Sequence, residues 1–183
     1  MAADLSSSYY QLFGLPRSFE IDAAQLDSRY RGLQRVVHPD RYASASDQER
    51  RLAMQQATRI NEGYRTLKDP LRRGRYLLEL DGFVFGEQQH TTRDPEFLMR
   101  QMELREALGA VRTAGDPLAA LAGLIDAIAG DFAALTGELQ GRFAGGHCDD
   151  PQAAADTLMK MQFFRRLQEE AQELEAALED ELA

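Results

Sequence analysis

The chain has 183 residues, 44% hydrophobic and 28% charged, the composition of a globular protein long enough for one sizeable domain or two small ones. A net charge of −9 argues against a nucleic-acid surface, and the lone Cys148 supplies neither a disulfide nor a paired-cysteine zinc pattern, which points to a reducing compartment. Met1–Ser8 shows no basic stretch leading into an apolar run, and no window approaches eighteen consecutive apolar residues, so a cytoplasmic protein with no secretory signal and no membrane span is expected.

In chain order the pattern is all-α. Tyr9–Leu15 is a short run whose Tyr10, Leu12 and Phe13 can pack against a helical hairpin later in the chain, and Pro16 closes it. Leu26, Tyr30, Leu33 and Val37 then recur at i, i+4, i+7 and i+11, one apolar stripe of a helix. Pro39 cannot extend that helix, and its ring biases His38 away from the α region, so the helix stops there. Beyond the break Ala53, Ala57, Ile60, Tyr64 and Leu67 form a matching stripe. Two such helices with a short connection pack antiparallel and present His38-Pro39-Asp40 at one end of a hairpin. Arg31 and Arg35 lie four apart and off the stripe, leading toward His38, with Arg41 just beyond. Cations near a helix C-terminus complement its dipole, but a run of them converging on an exposed loop suits docking of an acidic partner.

Asp69-Pro70 starts a further helix to Leu80, with Asp69 as N-cap, and the Asp-Pro pair recurs at Pro95, Pro117 and Pro151. Residues 82–93 read as a connector. Three long helices come next, roughly 94–113, 116–141 and 151–182, and short connections make them a bundle. The middle one carries the stripe Leu121, Ile125, Ile128, Phe132, Leu135 and Leu139; the last carries Phe164, Leu167, Ala171, Leu174 and Leu178. In the first, Phe97, Leu104, Leu108 and Val111 share the core face, while Leu98, Met99 and Met102 point to the opposite half beside Glu103 and Glu106. Clustered apolar side chains rimmed by carboxylates suggest a protein-binding patch, or else a contact with another helix or with the N-terminal domain.

The charge is uneven. Residues 1–80 hold 13 Lys and Arg against 10 Asp and Glu, whereas residues 81–183 hold 8 against 20. This asymmetry fits two surfaces for different partners, and also fits acidic helices that are simply well solvated. His38 and Asp40 invite a small metal-dependent hydrolase as an alternative, but no third His or Cys stands at ligand spacing. His90 and His147 read as solvated loop histidines. No phosphate-cradling loop and no nucleophile elbow is present, so neither a cofactor nor a reaction of the chain's own is expected.

Three segments carry a resemblance to the J-domain: Tyr9-Tyr10-Gln11-Leu12-Phe13-Gly14-Leu15, the helix ending Val37-His38-Pro39-Asp40-Arg41, and 60–70, INEGYRTLKDP. The stretches 75–83 (RYLLELDGF), Glu87 with His90-Thr91, 97–106 (FLMRQMELRE) and Ala155-Asp156-Thr157 narrow it, so that the chain resembles the HscB co-chaperones of iron–sulfur cluster assembly nearly end to end. The resemblance implies a J-domain at 1–81, a connector at 82–93 and a scaffold-binding three-helix bundle at 94–183. It implies that His38, Pro39 and Asp40, supported by Arg31, Arg35 and Arg41, dock on an HscA-type (DnaK-like) chaperone and trigger its ATP hydrolysis. It also implies that Leu98, Met99, Met102, Glu103, Glu106 and Phe163 hold an IscU-type scaffold.

Two positions depart from the family pattern. Ala110 stands where a further acidic residue is common, and Gly63 stands where J-domains usually have Ala, at about 1 kcal/mol in helix propensity. The family's eukaryotic paired-cysteine zinc module has no counterpart in this sequence, which favours a bacterial-type cytoplasmic protein. A general J-protein serving unfolded clients is the nearest alternative, and the absence of a Gly/Phe-rich linker and cysteine-rich repeats weighs against it.

Overall fold

The computed structural model describes residues 7–42, 45–85 and 94–182. Every regular element among them is helical: α1 Tyr9–Phe13, α2 Ala23–Val36, α3 Asp47–Lys68, α4 Pro70–Leu80, α5 Pro95–Ala110, α6 Pro117–Arg142 and α7 Pro151–Leu182, with 3-10 turns at Pro39–Tyr42 and Val111–Thr113. The expected all-α class is the one found. Most of the expected connector, His90 included, lies outside the described residues, as do the side chains of Pro39 and Arg41.

The helix starts reflect the Asp-Pro chemistry. Each Asp carboxylate accepts a hydrogen bond from a first-turn amide: Asp69 from Arg72 at 2.9 Å, Asp94 from Glu96 at 3.0 Å, Asp116 from Ala119 at 3.0 Å and Asp150 from Ala153 at 3.0 Å. The following proline lacks an N–H at a position where none is needed. Ser46 and Glu49 close a reciprocal capping box at the start of α3, as Ser8 and Gln11 do for α1. The last of the expected first bundle helix tightens instead into the 3-10 turn after Ala110, with Val111 buried.

The chain divides into two compact units, one running up to Asp81 and taking in Phe143–Cys148, the other made of the rest. In the first, α2 and α3 run antiparallel: Asp27 of α2 meets Tyr64, while Gln34, two turns later, meets Asn61. Leu26, Val37, Ala53, Ile60 and Leu67 of the two stripes are buried, and Tyr10 and Phe13 of α1 close the core. Gly63 has a reason in this packing. A Cβ there would lie 2.8 Å from Cδ1 of Tyr9 and 3.0 Å from Cε2 of Phe13, so the missing side chain makes room for the Tyr9 ring.

Phe143–Cys148 joins this unit across a long sequence separation. Phe143 stacks on Phe19 with ring centroids 5.7 Å apart. Gly146 has φ +85°, and a Cβ on it would sit 2.7 Å from the Arg17 carbonyl oxygen. The Asp81 carboxylate, 14% exposed, is met by Arg17 Nη2 at 2.5 Å, His147 Nδ1 at 2.8 Å and the Cys148 N–H at 3.3 Å. His147, expected as a merely solvated histidine, is thus tied to a carboxylate. Burial opposes ionisation of Asp81, but the hydrogen bonds from His147, Arg17 and Cys148 outweigh it and hold its pKa below the usual carboxylate value.

In the second unit α5 and α7 run parallel, since Asp94 pairs with Lys160, Arg105 with Glu170 and Arg112 with Glu181. α6 runs antiparallel to both: Arg100 of α5 pairs with Asp131, and Thr157 of α7 reaches Glu138. Phe97, Leu104, Leu121, Ile128, Phe164 and Leu167 lie in the bundle core, with Ile125, Phe132 and Leu135 only partly buried against it. Leu124, off the expected α6 stripe, is buried too. Its burial comes from α6 packing on two helices, which widens the buried arc beyond one stripe. By length and composition alone α6 passes for a membrane span, with mean hydropathy 1.8 over an eighteen-residue window. Leu121, Leu124 and Ile128 of that helix pack inside the bundle, and its outer face carries small residues such as Ala122 and Ala133.

Substituting Gly63→Ala is expected to lower stability by about 1–2 kcal/mol through overpacking against Tyr9, despite the better helix former. Gly130→Ala on α6, where a Cβ meets nothing within 4 Å, is expected to raise it by up to about 1 kcal/mol. Chemical denaturation of both variants checks the pair, and a gain in each would contradict the packing at Tyr9. For Asp81 the folded pKa is depressed, so its stabilisation is complete above the unfolded value of about 3.9 and is lost as pH falls through the lower folded value. Asp81→Asn is therefore expected to cost about 1–3 kcal/mol at pH 7, with the difference from the parent narrowing as the pH falls below about 4. Denaturation across that range tests this, and a constant difference would be inconsistent with it.

Candidate functional site

The His38–Asp40 turn is set by the helices on either side. α2 ends with the Val37 N–H donating to the Leu33 carbonyl at 3.3 Å, and the side chain of Val37 turns into the core. The chain then makes the 3-10 turn and restarts at the Ser46 cap of α3. A polar seam locks the two helices in register. The Tyr30 and Tyr64 rings stack with centroids 4.0 Å apart, and Asn61 Oδ1 accepts from the Tyr30 hydroxyl at 2.9 Å and from Gln34 Nε2 at 2.6 Å. One turn further on, the Tyr64 hydroxyl donates to Asp27 at 2.7 Å and Lys68 Nζ lies 3.7 Å from the same carboxylate. The hydrogen bond from Tyr64, helped by the charges of Lys68 and Arg31, holds Asp27 below the usual carboxylate range.

The turn itself faces outward. The side chains of His38 and Asp40 are 57% and 89% exposed, with the Asp40 N–H donating to His38 Nδ1 at 3.3 Å and Asp40 Oδ2 3.5 Å from that nitrogen. Arg31 and Arg35 are exposed on α2. The imidazole and the carboxylate sit in the turn, with Arg35 in the last turn of α2 and Arg31 one turn before it, all at exposed positions. Among the described residues no three His, Cys, Asp or Glu side chains gather as metal ligands.

The second candidate surface is on α5, which turns apolar side chains two ways. Phe97 and Leu104 enter the core, whereas Leu98, Met99 and Met102 are 43%, 64% and 68% exposed. Glu103 and Glu106 are exposed beside them, Glu103 paired with Arg100 at 3.1 Å. Phe163 of α7 is only half-buried; its ring meets those of Phe97 and Phe164 edge to face at 5.7 and 5.5 Å. That arrangement puts Phe163 beside α5 without sealing it into the core. Periodicity identified the outward α5 residues but not the seam, because Tyr30 and Tyr64 count as apolar in a stripe while their hydroxyls need partners. Asn61 and Asp27, one helical turn from those tyrosines, were the available signal.

Residues 8–76 match the family model described as the DnaJ domain, and residues 93–172 match that described as the HSCB C-terminal oligomerisation domain. A co-chaperone protein HscB homolog of Vibrio cholerae is 44% identical over 171 residues, covering 93% of this chain and 98% of its own. One from Shewanella sp. strain ANA-3 is 41% identical over 173 residues, covering 94% and 99%. Among solved structures, chaperone HscB from Vibrio cholerae superposes with a TM-score of 0.83 at 42% identity, covering 94% of this chain and 99% of that one. Human co-chaperone protein HscB gives 0.83 at 32% identity, covering 94% and 84%. With both parts of the chain matched and relatives aligned over nearly its whole length, the chain belongs to the HscB family of J-domain co-chaperones.

Proposed function

We propose that this co-chaperone delivers an IscU-type iron–sulfur scaffold protein to an HscA-type, DnaK-like chaperone in the cytoplasm and stimulates that chaperone's ATP hydrolysis. The observation that carries the proposal is the contrast between two exposed surfaces: a cationic hairpin end around His38 and Asp40, and an apolar strip on α5 edged by carboxylates. The first suits an acidic partner whose encounter is steered by charge. The second suits a folded partner with an apolar anchor, because Leu98, Met99 and Met102 gain by leaving water.

On this mechanism the chain makes and breaks no bond. His38, Pro39 and Asp40, with Arg31, Arg35 and Arg41, engage the chaperone, and hydrolysis occurs in the chaperone's own nucleotide site. Leu98, Met99, Met102, Glu103, Glu106 and Phe163 hold the scaffold meanwhile, so both partners are brought to one chain and the second encounter becomes effectively intramolecular.

His38→Gln is expected to abolish stimulation of the chaperone while leaving folding and scaffold affinity at parent values. Leu98→Ala combined with Met102→Ala is expected to weaken scaffold binding by about tenfold or more while leaving stimulation without scaffold intact. Steady-state ATP turnover and calorimetric titration read the two effects separately. Loss of both functions in either folded variant would contradict the division of labour.

A further inference from the structure

Between α5 and α7 a groove of about 460 Å³ opens, floored by Phe97 and Phe163 and walled by Gln101, Arg105, Gln162 and Arg166. Its two arginines differ in state. The Arg105 guanidinium lies 5.7 Å over the Phe163 ring and is also paired with Glu170. Arg166 is exposed, and among the described residues no hydrogen bond or ion pair engages it. Glu170, four residues further along α7, is already taken by Arg105, and no ion pair joins Glu169 to Arg166.

The groove continues the α5 strip. Leu98, Gln101, Met102 and Arg105 fall at i, i+3, i+4 and i+7, neighbours on one helix face. Turning 100° per residue, the α5 surface passes from Arg105 through Leu98 and Met102 to Glu106 and then Glu103. The surface is therefore graded in charge: Arg105 and Arg166 against the single carboxylate of Glu170 at the groove, apolar side chains in the middle, and Glu106 with the Arg100-paired Glu103 at the far rim. A partner with its charges in the opposite order docks one way round, and one turned end for end sets like charges together.

We infer that the groove is a carboxylate-accepting subsite for the scaffold protein: Arg166, flanked by the Gln101 and Gln162 amides, receives an acidic side chain whose apolar neighbour packs on Phe163. This rests on the scaffold-binding function proposed above and adds the chemistry and orientation of what is bound. The planar guanidinium suits bidentate capture of a carboxylate, and the aromatic floor lowers the local dielectric, strengthening the pair relative to one in open water. The subsite gives the acidic α5 face a cationic counterpart, so the scaffold segment must carry an anion at one end and a cation at the other.

The test is calorimetric titration of an IscU-type scaffold into the full chain, its Arg166→Gln, Arg166→Glu and Arg166→Lys variants, and Leu98→Ala as reference, at several salt concentrations. Arg166→Gln is expected to weaken binding about tenfold, Arg166→Glu further, and Arg166→Lys less, with the salt dependence of Kd flattened in Arg166→Gln and circular dichroism unchanged because the side chain is exposed. Unchanged affinity in the Arg166 variants, with Leu98→Ala still weakened, overturns the subsite and leaves the scaffold function standing. Failure of the parent chain to bind scaffold overturns both. Self-association in sedimentation that disappears in Arg166→Glu, with scaffold affinity unchanged, would assign the groove to a second copy of the chain and likewise overturn the inference.

Discussion

Asn61 stands one turn before Tyr64 on α3, and its side-chain oxygen accepts hydrogen bonds from both Tyr30 and Gln34 of α2. Two helices joined only by apolar stripes can slide by a turn with modest loss, because one aliphatic contact resembles the next. A stacked tyrosine pair, a doubly used amide oxygen and the Asp27–Tyr64–Lys68 chain admit one register, since any slip strands partly buried polar groups. That register determines the position of the His38–Asp40 turn. With α2 held against α3 and Pro39 barring further helix, the imidazole and carboxylate project at the hairpin end, and Arg31 and Arg35 remain on the outward face of α2.

The bundle works from a different constraint. α5 is apolar on both sides, and burying all of its large side chains would need a second covering layer that the described part of its unit does not supply. The core takes Phe97 and Leu104, Phe163 is left half-covered between α5 and α7, and Leu98, Met99 and Met102 stay in water. Their exposure is a standing free-energy cost that a partner covering them would offset.

Much of this was legible in the residues. Helical periodicity gave every long element, and the four Asp-Pro pairs located helix starts because carboxylate capping and a proline at the first position are local chemistry. Contacts between distant segments were not legible. Nothing near His147 announces Asp81, 66 residues away, and the membership of Phe143–Cys148 in the N-terminal unit depends on that contact and on the Phe19 stack. Gly63 reads as a small propensity loss in the sequence, and only the Tyr9 ring, lying where its side chain would be, explains it. For the candidate site, the outward α5 residues came from counting 100° steps. The groove beside them needs the side-by-side placement of α5 and α7, which no single helix pattern encodes.

The central claim is that one chain couples a scaffold held on α5 to a chaperone engaged by the His38 turn. It is tested most directly by measuring ATP turnover of an HscA-type chaperone with this protein and an IscU-type scaffold, added separately and together. Coupling predicts that the stimulation by both together exceeds the sum of the two alone, and that the excess falls when the α5 strip is altered although each partner is still present. Simple addition of the two separate stimulations would contradict it.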